Sequence, residues 1–192
     1  MNTKEQLDDF LSESSRVLNS LTESVNLIAE IAEQIRNTNE DGGKILVAGN
    51  GGSCSDAMHF VGELTCTYKN PSRKPIAAVV LNSNQPAVTA WVNDFQFDTF
   101  YSRQVEALGK AGDILFLFST GGGDKVNGYS MNLVNAAVKA QERGIEVISL
   151  LGKSGGELAN ISNKCVVVKS QQTALIQQAH ITIVHAICEL LE

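Results

Sequence analysis

A histidine and a carboxylate stand four residues apart in SDAMHFVGEL, as His59 and Glu63. In a helix that spacing puts both on one face, where they can hold a divalent metal or act as a base and the group that orients it. An ordinary surface pair uses the same spacing, so the pair alone decides nothing. A second set lies near the C-terminus, in TALIQQAHITIVH, residues 173–185. At about 100° per residue, Gln177 and His180 lie about 60° apart, and Gln177 and His185 about 80° apart. All three can share one polar stripe on a helix otherwise made apolar by Ile176, Ile181, Ile183, Val184 and Ile187. Polar groups in such a helix need partners, and a satisfied core histidine is the plainer reading of either His.

Glycine marks the other places where chemistry is possible. The chain has 16, eleven of them gathered at 42–43, 49–52, 121–123 and 152–156. Gly49-Asn50-Gly51-Gly52-Ser53 leaves an apolar run and enters a helical stretch, so its N–H groups and the helix dipole face one spot that suits an anion. A dinucleotide fingerprint needs glycine at position 54, where Cys54 stands, and an acidic residue after the second strand, where Leu81-Asn82 stands. Ser119-Thr120-Gly121-Gly122-Gly123 offers hydroxyls and open backbone to a phosphomonoester. Gly152-Lys153-Ser154 looks like the end of a Walker A loop, but that loop would have to begin at Val147, inside a strand. We read this last cluster as a turn. Either of the first two loops alone is equally a tight strand-to-helix turn; both at strand ends of one sheet point to an anion site.

These residues must be carried by a scaffold. Apolar positions at helical spacing over 5–37 predict two amphipathic helices with a break near Asn19-Ser20. After Gly42-Gly43 come five short apolar runs, at 44–49, 75–82, 113–119, 146–152 and 165–170. Runs without alternation suit strands buried on both faces of a parallel sheet. Helical stretches at 54–67, about 98–109, about 130–143 and 172–191 alternate with them. The class is α/β with right-handed crossovers, in one domain over 1–192: a helical arm at 1–40 and an α/β core at 41–192. Ligands in such sheets collect at the carboxyl ends of the strands, where three of the glycine clusters fall.

Composition narrows the classes further. With 192 residues, 43% hydrophobic and 19% charged, the chain can fill one core and is not disordered. A net charge of -6 argues against a broad basic face for nucleic acid. The charged opening residues do not resemble a secretory signal, and no run reaches the roughly 18 apolar residues of a membrane span. Cys54, Cys66, Cys165 and Cys188 form no CxxC pair and read as reduced thiols, so the expected location is the cytoplasm.

Taken together, GNGGSCSDAMHFVGEL (49–64), VNDFQFDTFYSRQVEALG (92–109), the Phe118-Ser119-Thr120 strand end and IQQAHITIVH (176–185) closely resemble the phosphoheptose isomerases, built on the sugar isomerase (SIS) domain. The resemblance covers nearly the whole chain. It implies a three-layer sandwich around a five-stranded, flavodoxin-like parallel sheet, and a homotetramer with active sites between subunits. It implies conversion of sedoheptulose 7-phosphate to D-glycero-D-manno-heptose 7-phosphate, for lipopolysaccharide-core or capsule synthesis. Metal ligands, commonly for one zinc ion, match His59, Glu63, Gln177 and His185; Glu63 resembles the base and His185 the acid. Substrate contacts match Asn50, Gly51, Gly52, Ser53, Asn93, Asp94, Ser119 and Thr120, with Gly121, Ser130, Glu63 and Gln177 alongside.

The chain departs from the family where the phosphate is held. The usual STSGNS becomes Ser119-Thr120-Gly121 with about six extra residues, and only Ser130 is placed to match the later serine. A usual arginine reads Thr67, with Lys69 nearby, and the usual ARIQE reads Ala174-Leu175-Ile176-Gln177-Gln178. Two other readings stay open: a non-catalytic SIS scaffold like the relative that binds the replication initiator, and an isomerase for a different heptose phosphate. That scaffold lacks the histidine matching His185, which this chain keeps.

Overall fold

In the computed structural model, which describes residues 2–192, the five apolar runs form β1 (Ile45–Gly49), β2 (Ala78–Val80), β3 (Ile114–Ser119), β4 (Glu146–Gly152) and β5 (Lys164–Val168). They make one sheet in the order β2-β1-β3-β4-β5, every neighbouring pair parallel. Side chains alternate between the two faces of a strand, and here both faces are covered. Ile45, Val47, Phe116 and Phe118 enter one core, while Leu46, Ala48, Leu115 and Leu117 enter the other. That double burial is why these strands read as unbroken apolar runs. β2, at the edge with one neighbour, is shorter than its run predicts.

The helices are α1 (Thr3–Ser20), α2 (Val25–Glu40), α3 (Gly52–Thr65), α4 (Gln85–Asp94), α5 (Phe100–Leu108), α6 (Met131–Glu142), α7 (Gly156–Ile161) and α8 (Thr173–Leu191). The first core takes Val17 of α1, Ile31 and Ile35 of α2, Phe60 of α3 and Ile183 of α8. The second takes Tyr101 of α5, Leu133 of α6 and Leu158 of α7. The result is three layers, helix on sheet on helix. The arm opens with a reciprocal cap, in which Glu5 N donates to Asn2 Oδ1 (3.0 Å) and Asn2 N to a Glu5 carboxylate oxygen (2.9 Å). It breaks where expected: α1 ends at Ser20, and a 3-10 turn at Leu21–Ser24 leads into α2.

Two helices went unpredicted. α4 starts at an Asn84 cap whose side chain accepts from Ala87 N (3.1 Å), with Pro86 in its first turn. α7 is six residues long, too short for a periodic signal. α8 also revises the membrane reading. Polar residues interrupt its apolar run, yet by length and composition it alone among the described helices could cross a membrane. Leu175, Ile176, Ala179, Ile183, Val184 and Ile187 account for that apolarity, because all are buried in the first core.

The chain leaves β1 for β2 on one side and reaches β3 on the other. Such a reversal opens a crevice at the carboxyl ends of β1 and β3, the usual ligand position in an open parallel sheet. Both glycine-led anion loops open there.

Candidate active site

α3 begins directly after β1 and packs against α8, so two helices far apart in sequence bring their side chains together. His59 Nε2 lies 2.9 Å from Glu63 Oε1 and 3.1 Å from His185 Nε2. One donor atom from each of the three lies within 4.8 Å of the others. Two Nε2 atoms at that separation cannot both carry hydrogens toward each other, so a proton or a cation must sit between them. A tetrahedral metal with nitrogen ligands at about 2.0–2.1 Å sets its two imidazole nitrogens about 3.3 Å apart. Two imidazoles and a carboxylate at these distances therefore fit a divalent cation.

The other two polar residues of α8 part company. Gln177 faces the first glycine loop so closely that a Cβ on Gly52 would collide with its Nε2. A side chain at 52 would therefore push the Gln177 amide aside. His180 turns into the core, fully buried, and its Nε2 donates to the Leu151 carbonyl oxygen (3.1 Å). Its Nδ1 meets no partner among the described residues, and burial holds its pKa down to about 4. His180 is thus a neutral core histidine, and the polar stripe toward the site reduces to Gln177 and His185.

The N-terminal turns of α3 and α8 border a cavity of about 270 Å³. Asn50, Gly51, Gly52 and Ser53 line it from the β1 end, Ser119 and Thr120 from the β3 end, Ser130 from the start of α6, and Gln177 from α8. Ser53 and Ser119 are buried, and Ser119 Oγ accepts from Gly122 N (2.9 Å). Gly121 lines a neighbouring cavity instead. Asn93 and Asp94, at the end of α4, are exposed, bond to each other (2.7 Å) and line neither cavity.

Asn132 is a participant the sequence reading passed over. It is buried in the first turn of α6 and exchanges two amide hydrogen bonds with Asn50, each 2.9 Å. The pair locks the Asn50 side chain to α6. A buried asparagine in the apolar stretch MNLVNAAV was the available signal. The inserted residues 121–130 form a small closed loop rather than a flap. Asp124 and Tyr129 pair backbone to backbone (2.9 and 3.1 Å), and Asp124 Oδ1 accepts from Val126 N and Asn127 N. These bonds, with one from the Asn127 side chain, hold the Asp124 carboxyl below its usual range. On α3, burial raises the Asp56 carboxyl to about 6, with His59 opposing the shift.

Residues 9–152 match the SIS domain model. A probable phosphoheptose isomerase of Thermoplasma acidophilum is 38% identical over 183 residues, covering 95% of this chain and 96% of that protein. Two solved phosphoheptose isomerases share the fold over nearly their whole length. The Francisella tularensis structure has a TM-score of 0.91 at 31% identity, covering 100% of this chain and 98% of that one. The Neisseria gonorrhoeae structure has a TM-score of 0.89 at 36% identity, covering 99% and 98%.

Proposed function

The chain belongs to the SIS domain family, among its phosphoheptose isomerases, and from that premise we propose that it converts D-sedoheptulose 7-phosphate to D-glycero-D-manno-heptose 7-phosphate in the cytoplasm. The observation that carries this reading is the convergence of Glu63, His59 and His185 on α3 and α8, the two helices that also give Gly52 and Gln177 to a cavity walled by hydroxyls and amides. Ketose-to-aldose conversion moves one proton between adjacent carbons through an ene-diol(ate). It needs a base at carbon and an acid at oxygen on one side of the sugar. Glu63 takes the carbon-bound proton, and its side chain is only 19% exposed, which keeps solvent from competing for it. His185, across from it on α8, protonates the oxygen.

His59, Glu63, Gln177 and His185 are the residues that would hold one zinc ion per site. Bound there, such a cation supplies polarisation of the carbonyl and stabilises the developing oxyanion. Asn50, fixed by Asn132, and the amides of Gly51 and Gly52 hold the sugar hydroxyls. Ser53, Ser119, Thr120 and Ser130 receive the phosphate end, with Gly121 at its margin. Asn93 and Asp94 reach the substrate of a neighbouring subunit in a homotetramer, which accounts for their exposure in a single chain. The product feeds heptose synthesis for a lipopolysaccharide core or a capsule.

Turnover of sedoheptulose 7-phosphate by wild type, Glu63→Gln and His185→Ala, with and without chelator, tests this reading. Each variant should lose at least about 100-fold, the usual scale for a removed acid or base. Unchanged turnover in both would sink the assignment of roles.

A further inference from the structure

The proposed substrate brings a phosphate of nearly two negative charges, yet no cationic side chain lines the cavity meant to receive it. Hydroxyls and amides can orient such a group, but taking a dianion out of water calls for compensating charge. Ser119 Oγ accepts from Gly122 N, so its O–H remains to donate to the phosphate, but it brings no positive charge.

A second cavity, of about 710 Å³, shares the Thr120 and Ser130 walls with the first. Its charged lining residues are Asp124, Lys153 and Glu157. Both carboxylates are spoken for. Asp124 accepts from the backbone of Val126 and Asn127, and Glu157 pairs with Lys125 at 3.0 Å. Lys169, close by, pairs with Glu23. Lys153 pairs with no carboxylate among the described residues.

Backbone geometry singles out the same place. Among the described residues, Ser130 and Lys153 are the only non-glycines with positive φ, 54° each, and both line this second cavity. Left-handed backbone at a side-chain-bearing residue persists where its surroundings over-determine it, often at ligand clamps. Here Lys153 N donates to Ser170 O (3.1 Å), tying the residue to the end of β5, while Ser130 O accepts from Leu133 N (3.1 Å) at the start of α6.

We infer that Lys153 is the cation of an anion subsite for a phosphate monoester, seated where the two cavities join at Thr120 and Ser130. The inference rests on the sugar-phosphate reading and adds the residue that supplies the charge. It gives Gly152-Lys153-Ser154, set aside as a nucleotide loop, a different use of the same chemistry.

The test uses the full-length metal-loaded protein, with inorganic phosphate as the probe in calorimetry and heptose phosphate in steady-state assays. Lys153→Met should weaken phosphate binding about 10-fold or more and raise KM by a similar factor, with much less effect on kcat. Lys153→Arg should keep most of the affinity. Phosphate bound equally by wild type and Lys153→Met, or not bound by wild type, overturns the inference. The two readings fail separately. Lys153-dependent phosphate binding without heptose turnover keeps the anion subsite and removes the heptose assignment. Normal turnover with KM unchanged in Lys153→Met does the reverse. Lys153 is exposed, so melting curves matching wild type will show that the variant folds.

Discussion

The Tyr68 ring lies flat against His185, centroids 5.8 Å apart and planes inclined by 22°. What holds it there is a strap between the segment after α3 and the end of α8. Lys69 N and Asn70 N donate to the two carboxylate oxygens of Glu192 (3.2 and 2.6 Å), and Lys69 Nζ pairs with Glu189 (2.5 Å). Arg73 completes it, 3.5 Å from Glu192 and donating to the Glu63 carbonyl oxygen (2.6 Å). His185 is therefore held from two sides, by His59 edge-on and by Tyr68 face-on.

Removing that face should loosen the imidazole without removing it. Tyr68→Ala is expected to lower kcat and metal affinity about 10-fold, the scale for groups that orient a ligand from behind. Tyr68→Phe keeps the ring and should restore both. The comparison is made by steady-state kinetics and by metal titration of the stripped protein. Equal loss in both variants would shift the role from the ring to the phenol.

Asn132→Ala should act on binding more than on chemistry. It strips the Asn50 amide of both bonds and leaves it free to rotate out of the cavity. We expect KM for the sugar phosphate to rise about 10-fold, matching one to two lost hydrogen bonds, with kcat within a few-fold of wild type. Initial-rate kinetics will separate the two parameters.

Acid stability should show two opposed contributions. His180 has a folded pKa of about 4 against an ordinary 6.5. As pH falls below 6.5 the unfolded chain takes up the proton and the folded chain does not. Stability is therefore lost down to about pH 4, and the gap corresponds to about 3 kcal/mol. Asp56 runs the other way: raised to about 6 from 3.8, its carboxyl favours the folded state increasingly as pH falls from above 6 toward 3.8. In chelator, so that metal release does not intrude, denaturant melts from pH 8 to 4 should show His180→Gln losing less stability than wild type. Asp56→Asn should lose more. Parallel curves for all three proteins would contradict the assignment.

Sequence patterning carried most of the scaffold, for a physical reason. Strands covered on both faces must be apolar at every position, so β1, β3 and β4 were visible as runs. α4 escaped although Asn84 and Pro86 announce a helix start, because it is short and none of its apolar residues is buried. In the site, the His59–Glu63 spacing was local and therefore legible. Which of His180 and His185 meets it was not legible from spacing and came only from the family resemblance: the two share a helix, and the packing of α8 against the sheet turns one inward. The Asn50–Asn132 pair spans 82 positions, so an asparagine in an apolar stretch could be noticed locally but its partner could not. Tyr68 likewise gains its meaning from a helix more than a hundred residues downstream.

The two facing imidazoles are separated by 126 positions of chain. An ion gripped by both would close a loop containing most of the protein, and so would act as a reversible cross-link as well as a reagent. Because His59 and Glu63 lie on α3 and His185 on α8, the donor set is incomplete until α8 has docked against α3. A chain cut between α3 and α8 would thus have no complete donor set, and ion uptake would report that the two helices have come together.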